Sequence, residues 1–336
     1  RRTYMTPGKP RLPANRSRMR DLMRDVMVRN IRSLVDVHLP PRTATTLRLD
    51  PTPEETACYD ELNRLIQAEL MQGQAGRRLA LHQLLVAAGS SPAAAAGGVR
   101  RFTPHSNVSA WSGLGRRYRK IKSGAKDRSL LELLRLNPEE KKLIFVNRRQ
   151  TLDHIEALLD SHGIPFARFD GSLSGPAKDK AVERFRTEVP VLLSSESGGE
   201  GRNLQFCNTM VNYDLPWNPM VIEQRIGRIH RIGQHREVFI FNLTVKNTIE
   251  EKILRILDEK INMFELVVGE IDSILGEMDE KHGFADLAFA AWVQTTEQDR
   301  DDAFRHLEER LVQARQQYDS VKELDEYLFD DEFVTG

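Results

Sequence analysis

Cysteine is almost missing: Cys58 and Cys207 are the two in 336 residues. That is too few for a disulfide framework or a zinc site, and it fits a reducing cytosol. No run of about eighteen apolar residues and no signal peptide appears, so nothing in the sequence places the chain in or across a membrane. Nor does Gly-x-x-x-x-Gly-Lys-Ser/Thr occur, since Gly8-Lys9-Pro10 does not complete it, and no apolar strand runs into an Asp-Glu pair. A chain lacking both has no backbone cradle and no lysine to hold the β- and γ-phosphates of a nucleotide. Neither cysteine sits in a nucleophile motif. His230 and His235 stand five apart with no further ligand set around them, so nucleophilic and metal-held chemistry lack support.

What is present is charge, sorted along the chain. Lys+Arg and Asp+Glu both total 49, for a net of zero. Residues 1–48 hold 12 Lys/Arg against 3 Asp/Glu, residues 49–249 hold 28 against 22, and residues 250–336 hold 9 against 24, which gives +9, +6 and −15. The basic first part suits a polyanion. The acidic end suits a solvated helical face or a docking surface for a protein partner.

Residues 1–35 are arginine-rich without long apolar alternation, and with Arg1 at the start they read as the end of something larger. After Pro40-Pro41, Thr43 to Leu49 alternates as a strand, and Asp50-Pro51-Thr52-Pro53-Glu54-Glu55 opens a helix that continues to about Ala88. Gly89 to Gly115, with the Ala93 to Ala96 run and paired glycines, reads as a loop or flexible insertion. A basic cluster, Arg116, Arg117, Arg119, Lys120 and Lys122, surrounds Tyr118 and reads as solvated linker or nucleic-acid contact. From Ser123 strands at Leu143–Val146, Phe166–Phe169, Val191–Leu193, Met210–Tyr213 and Val238–Leu243 alternate with helices such as Thr151–Leu159 and Ala177–Phe185. That alternation specifies an α/β unit with a parallel sheet covered on both faces. Ile249, Ile253, Ile256, Leu257, Ile261 and Phe264 mark an amphipathic helix lying back on it, and residues 265–336 are helical and acidic.

In open parallel sheets ligands bind beyond the carboxyl ends of the strands. Asn147-Arg148, Asp170-Gly171-Ser172 and the Ser194 to Gly201 loop fall there, and the last offers backbone amides and hydroxyls suited to phosphate. Asn218-Pro219 caps a further helix. Within it Ile222, Ile226 and Ile229 share one side, while Gln224, Arg228 and Arg231 share the other. If helical geometry holds to Arg231, two planar guanidiniums three residues apart face away from the core, a donor pattern suited to phosphate oxygens. Gly227, costing about 1 kcal/mol in a helix interior, suggests a close approach to the backbone.

Three blocks, residues 192–206 (Leu-Leu-Ser-Ser-Glu-Ser-Gly-Gly-Glu-Gly-Arg-Asn-Leu-Gln-Phe), 212–219 (Asn-Tyr-Asp-Leu-Pro-Trp-Asn-Pro) and 224–234 (Gln-Arg-Ile-Gly-Arg-Ile-His-Arg-Ile-Gly-Gln), resemble in order and spacing motifs V and VI of the SWI/SNF-type, RapA-like branch of superfamily-two helicases. The resemblance covers about residues 123–262. It implies a second RecA-like lobe, preceded by a basic remnant of a first lobe (1–48) and a helical segment (49–122), and followed by an acidic helical extension (263–336). It implies a motor on double-stranded DNA, driven by ATP with Mg2+, both held mainly by an upstream first lobe that completes the cleft. By the family pattern Arg228 and Arg231 reach the γ-phosphate, and Gln224, Gly199, Glu200 and Gly201 line the nucleotide cleft. Asn147, Arg148, Gly171, Ser172, Ser195 and Asn203 meet the DNA backbone, which sets register without sequence preference. Arg202 and Ser197 depart from the leucine and alanine usual there. Lacking the phosphate cradle, the chain alone is expected not to hydrolyse ATP. The expected setting is the cytoplasm, with a bacterial source favoured and nucleoid association if so, while polymerase recycling, phage defence and remodelling all stay open as the errand. Two alternatives stay open: an ATP-independent DNA-binding or docking module, and an RNA helicase of the same superfamily.

Overall fold

The computed structural model describes residues 5–6, 9–13, 39–72, 77–102, 104–105, 107–196, 203–266, 270–276 and 283–328. Two short strands, β1 (Met5–Thr6) and β2 (Lys9–Pro13), pair antiparallel. The centre is a six-stranded, all-parallel sheet of β3 (Arg42–Leu49), β4 (Lys142–Val146), β5 (Phe166–Phe169), β6 (Val191–Ser195), β7 (Thr209–Asn212) and β8 (Val238–Val245). Their spatial order is β3-β8-β7-β4-β6-β5.

The sheet takes its sixth strand from outside residues 123–262. Arg42–Leu49 runs beside Val238–Val245 over eight residues, closing the edge that β8 leaves open. Strand pleating then divides the core. Leu143 and Phe145 of β4 face one side with Met210 and Ile240, whereas Ile144 and Val146 face the other with Leu193 and Val211.

Helices α1 (Pro53–Leu70), α2 (Arg78–Ser90), α3 (Pro92–Arg101) and α4 (Val108–Lys120) precede the α/β repeat, which adds α5 (Ala125–Arg135), α6 (Arg149–Ser161), α7 (Gly175–Thr187), α8 (Pro219–Ile226) and α9 (Ile249–Ile261). Helices α5 and α6 supply Leu130, Leu134, Leu152 and Ile155 to one face. Helices α8 and α9 supply Ile222, Ile226, Ile253 and Leu257 to the other. The acidic end forms α10 (Glu270–Gly276), α11 (Phe284–Trp292) and α12 (Glu297–Leu328). It packs on α9 through Phe304, Leu307 and Leu311, with Glu308 paired to Lys252 and Lys260.

One expectation is overturned. Gly89 to Gly115 is not a loop: Ser91 caps α3 by accepting the Ala94 N–H at 3.1 Å, and Pro92 occupies the first turn, where its missing donor costs nothing. Alanine is the best helix former, and Ala94, Ala95, Ala96 and Val99 are buried. Against them α4 buries Trp111, Leu114 and Tyr118. The glycines permit close packing, since a Cβ at Gly97 would lie 3.2 Å from Gln150 Cγ.

Candidate functional site

All six strands end at the same rim of the sheet. At β4 the chain turns toward β5, and at the neighbouring β7 it turns toward β8, so the topological switch lies between β4 and β7. There Asp214 spans the gap. Its Oδ1 accepts the Asn147 N–H at 2.7 Å, Oδ2 accepts the Ser90 hydroxyl, and the Arg225 guanidinium stands 3.7 Å away. Ser90 and Ser91 also share Thr151 Oγ1, at 2.6 and 2.7 Å.

Arg225 completes this network and is only 2% exposed. Its Nη1 donates to Asn212 Oδ1 at 3.0 Å and to the Asp214 carbonyl at 2.7 Å, its Nη2 donates to Glu196 Oε1 at 2.8 Å, and the ion lies over the Phe145 ring. A buried guanidinium is tolerated only with such a set of partners. Neither Arg225 nor Asp214 was singled out from the sequence. The signal was available for the first: at 100° per residue Arg225 lies on the side of Ile222, Ile226 and Ile229, which are 1%, 2% and 0% exposed.

The regular helix is shorter than the periodicity suggested. α8 ends at Ile226 and Gly227 is its C-cap, after which Arg228 N–H to Arg225 O and Ile229 N–H to Ile226 O wind the backbone into a tighter turn. A Cβ added at Gly227 would meet only the Glu223 and Gln224 carbonyls, at 3.5 and 3.6 Å, so no side chain among the described residues requires a glycine there. The turn is fixed by neighbours of the two arginines. His230 Nε2 donates to the Pro40 carbonyl at 2.9 Å, and burial lowers its pKa. Gln234 donates to the carbonyls of Gln205, Cys207 and Ile229 and accepts the His235 and Arg236 N–H groups. Gly233 turns the chain at φ +96°, which only glycine adopts without strain.

Those anchors immediately precede strands: Pro40 lies just before β3, and Cys207 just before β7. Residues 229–237 therefore run along the edge where strands begin, whereas Asn147, Asp170 and Ser195 lie at the rim where strands end. The arginine turn and the strand-ending loops, each suited to phosphate by sequence, thus lie at different edges of the sheet. Gln224 and Arg231 are exposed and Arg228 is half-buried. Among the described residues, neither Arg228 nor Arg231 has an ion-pair partner.

At the strand-ending rim, Arg148 is half-buried and donates to Gln83 Oε1 at 2.6 Å, and burial lowers its pKa. Gly171 and Ser172 are exposed. The Ser172 N–H and hydroxyl both bond to Asp170 Oδ1, at 2.8 and 2.5 Å. Burial pushes the Asp170 carboxyl up, but the Ser172 and Arg168 hydrogen bonds outweigh it and hold the group below the usual range. Ser195 is half-buried, and Asn203 is exposed with Oδ1 accepting the Gln205 N–H at 3.0 Å. Gly199, Glu200 and Gly201, with Ser197 and Arg202, lie outside the described residues, as does the stretch 14–38. No group of three His, Cys, Asp or Glu able to hold a metal occurs among the described residues. No described helix is long and apolar enough to cross a membrane.

Comparison with known proteins gives a consistent picture. Residues 125–233 match the family described as "Helicase conserved C-terminal domain". The protein named uncharacterized ATP-dependent helicase YqhH, of Bacillus subtilis (strain 168), is 36% identical over 272 residues, covering 76% of this chain and 47% of that protein. RNA polymerase-associated protein RapA of Vibrio vulnificus is 41% identical over 139 residues, covering 40% of this chain and 14% of RapA. The crystal structure of the C-terminal part of the Fun30 ATPase domain superposes with a TM-score of 0.53, over 75% of this chain and 98% of that one, at 20% identity, a likeness of fold. The chain thus spans less than half the length of either curated relative.

Proposed function

This chain carries the C-terminal lobe of a Snf2-like helicase of superfamily two, and on that premise we propose that it is the rear half of an ATP-driven translocase acting on double-stranded DNA. Arg228 and Arg231 are its cations for the γ-phosphate of ATP, and Gln224 lines the same cleft. One observation carries the reading. Three arginines sit within seven residues, and they divide: Arg225 is buried among four acceptor atoms, while Arg228 and Arg231, on a turn clamped by His230 and Gln234, have no counter-ion among the described residues. Unpaired guanidiniums held on a braced turn fit a triphosphate, because a preorganised cation needs no reorganisation as charge develops.

When bound, ATP with Mg2+ would supply phosphoryl transfer to water, and Arg228 and Arg231 would contribute positioned positive charge. The phosphate cradle comes from a first lobe, so the chain alone does not hydrolyse ATP. The opposite rim, with Asn147, Arg148, Gly171, Ser172, Ser195 and Asn203, holds the DNA backbone. By the family pattern Gly199, Glu200 and Gly201 serve the nucleotide with Gln224. Nucleotide and DNA thus take different edges of one sheet, and Arg225, tied to Glu196 beyond β6 and to Asp214 beyond β7, ties α8 to the rim.

The test is DNA-stimulated ATP hydrolysis in the full-length parent. Arg228→Ala is expected to lower turnover by about 10³ or more, the scale of an arginine finger. A variant that hydrolyses ATP as fast as its parent removes the assignment.

A further inference from the structure

Between Glu69 and Asp127 the sequence has no aspartate or glutamate, yet it has ten Lys/Arg. The two bounding acids do not balance that charge at the surface. Glu69 is 3% exposed and its carboxylate takes Arg77, the His105 N–H and Trp111 Nε1. Asp127 is fully buried and takes the Gly124 N–H, His154 and Tyr213. Three of the ten cations are engaged: Arg77 on Glu69, Arg78 over the Phe289 ring, and Lys126 on buried Glu250.

The other seven are exposed and cluster on one helix pair. Arg100 and Arg101 end α3, Arg116, Arg117, Arg119 and Lys120 end α4, and Lys122 follows. None forms an ion pair with another described residue. Tyr118, in their midst, is buried with Trp111 and Leu114, so the packed face of α4 points inward and leaves the cations outside. Arg100 and Arg119 line two adjoining clefts of about 370 and 380 Å³, which makes them the ridge between the two. The second cleft reaches Gln150, Asp153 and His154 on α6. Its one carboxylate, Asp153, is paired with Arg168 at 2.9 Å. Since α6 begins at Arg149, directly after Asn147 and Arg148, the basic face continues into the strand-ending rim.

We propose that the α3–α4 face is a second binding surface for the backbone of double-stranded DNA, extending the track beyond the rim, with Arg100 and Arg119 as its central phosphate contacts. This rests on the DNA-motor reading above. Seven exposed cations without an ion-pair partner among the described residues, beside a cleft whose one carboxylate is already paired, match a polyanion of regular charge, and each phosphate neutralised releases counter-ions and adds about 0.9 to the salt slope of binding.

The test is fluorescence anisotropy of a labelled random duplex titrated with the whole chain at several salt concentrations. The double variant Arg100→Ala/Arg119→Ala is expected to bind about tenfold more weakly near 100 mM salt, with a log K against log salt slope shallower by about 2. Arg100→Lys/Arg119→Lys should keep most of both, because point charge suffices for a phosphate. Both pairs are exposed, so the melting temperature is expected to hold. A double alanine variant that matches the wild type while Arg148→Ala weakens binding overturns this inference and leaves the rim reading standing. A wild-type chain with no salt-dependent affinity for the duplex overturns both. Tighter binding of polyglutamate than of duplex, lost in the same variant, assigns the face to an acidic protein and overturns the proposal.

Discussion

Two arginines three positions apart illustrate how little residue type says without surroundings. Arg225, in the last turn of α8, and Arg228, just past its C-cap, carry the same charge, but one donates into a buried polar network and the other has no ion-pair partner among the described residues. Their substitutions should therefore separate stability from function. Arg225→Ala leaves Asp214 and Asn212 short of a buried donor and is expected to cost about 3 kcal/mol in urea unfolding, the scale for breaking a buried ionic network. Arg228→Ala is expected to shift unfolding by less than about 0.5 kcal/mol while abolishing ATP hydrolysis in the parent protein. Equal losses of stability in the two variants would show that both are structural.

Among the elements, α3 is the instructive case. Its composition reads as a flexible insertion when glycines are counted, and as a helix when Ser91-Pro92 is taken as N-cap and first turn. The same serine fastens the element to the sheet rim, since its hydroxyl meets Thr151 on α6 at 2.7 Å as well as the Ala94 N–H. Ser91→Ala removes both bonds and is expected to cost about 1 to 2 kcal/mol, measurable by thermal unfolding. Because α3 carries Arg100, the variant should also weaken duplex binding if it loosens the helix. Helix α8 makes the complementary point. Its apolar stripe was legible, but its end was not, because tertiary anchors at Pro40 and Gln205 capture the chain after Ile226 and tighten it.

Across the molecule, α5, α6 and the turn after β7 meet at one buried cluster in which Asp127 takes His154 at 3.0 Å and Tyr213 at 2.7 Å. The hydrogen bond to Asp127 raises the His154 pKa above its ordinary 6.5, and the same pairing, against burial, lowers that of Asp127 below 3.8. A base whose pKa rises on folding stabilises fully below its unfolded value and loses that contribution as pH climbs through the folded one. An acid whose pKa falls on folding loses its contribution as pH drops through the folded value. The pair therefore contributes most between about pH 4 and 6.5. Burial pushes Glu250 up to about 7, which tilts the same range, so the difference between wild type and His154→Gln is the measurement that isolates the pair. That difference is expected to shrink as pH rises above 6.5, and a difference independent of pH from 5 to 9 would show that His154 is neutral in the folded protein.

By itself the sequence determined the α/β alternation, the parallel sheet, the apolar stripe of α8 and the family, because strand and helix periodicities and contiguous motifs are local properties of the chain. It did not reveal that Arg42–Leu49 closes the sheet edge, that Gly89 to Gly115 is two packed helices, or that the arginine turn and the strand-ending loops occupy opposite edges. Nor did it mark Asp214 and Arg225 as the bridge between those loops. These features depend on partners up to nearly two hundred residues away, as Pro40 is from His230. Only the folded chain decides which charges meet a partner and which are left facing outward.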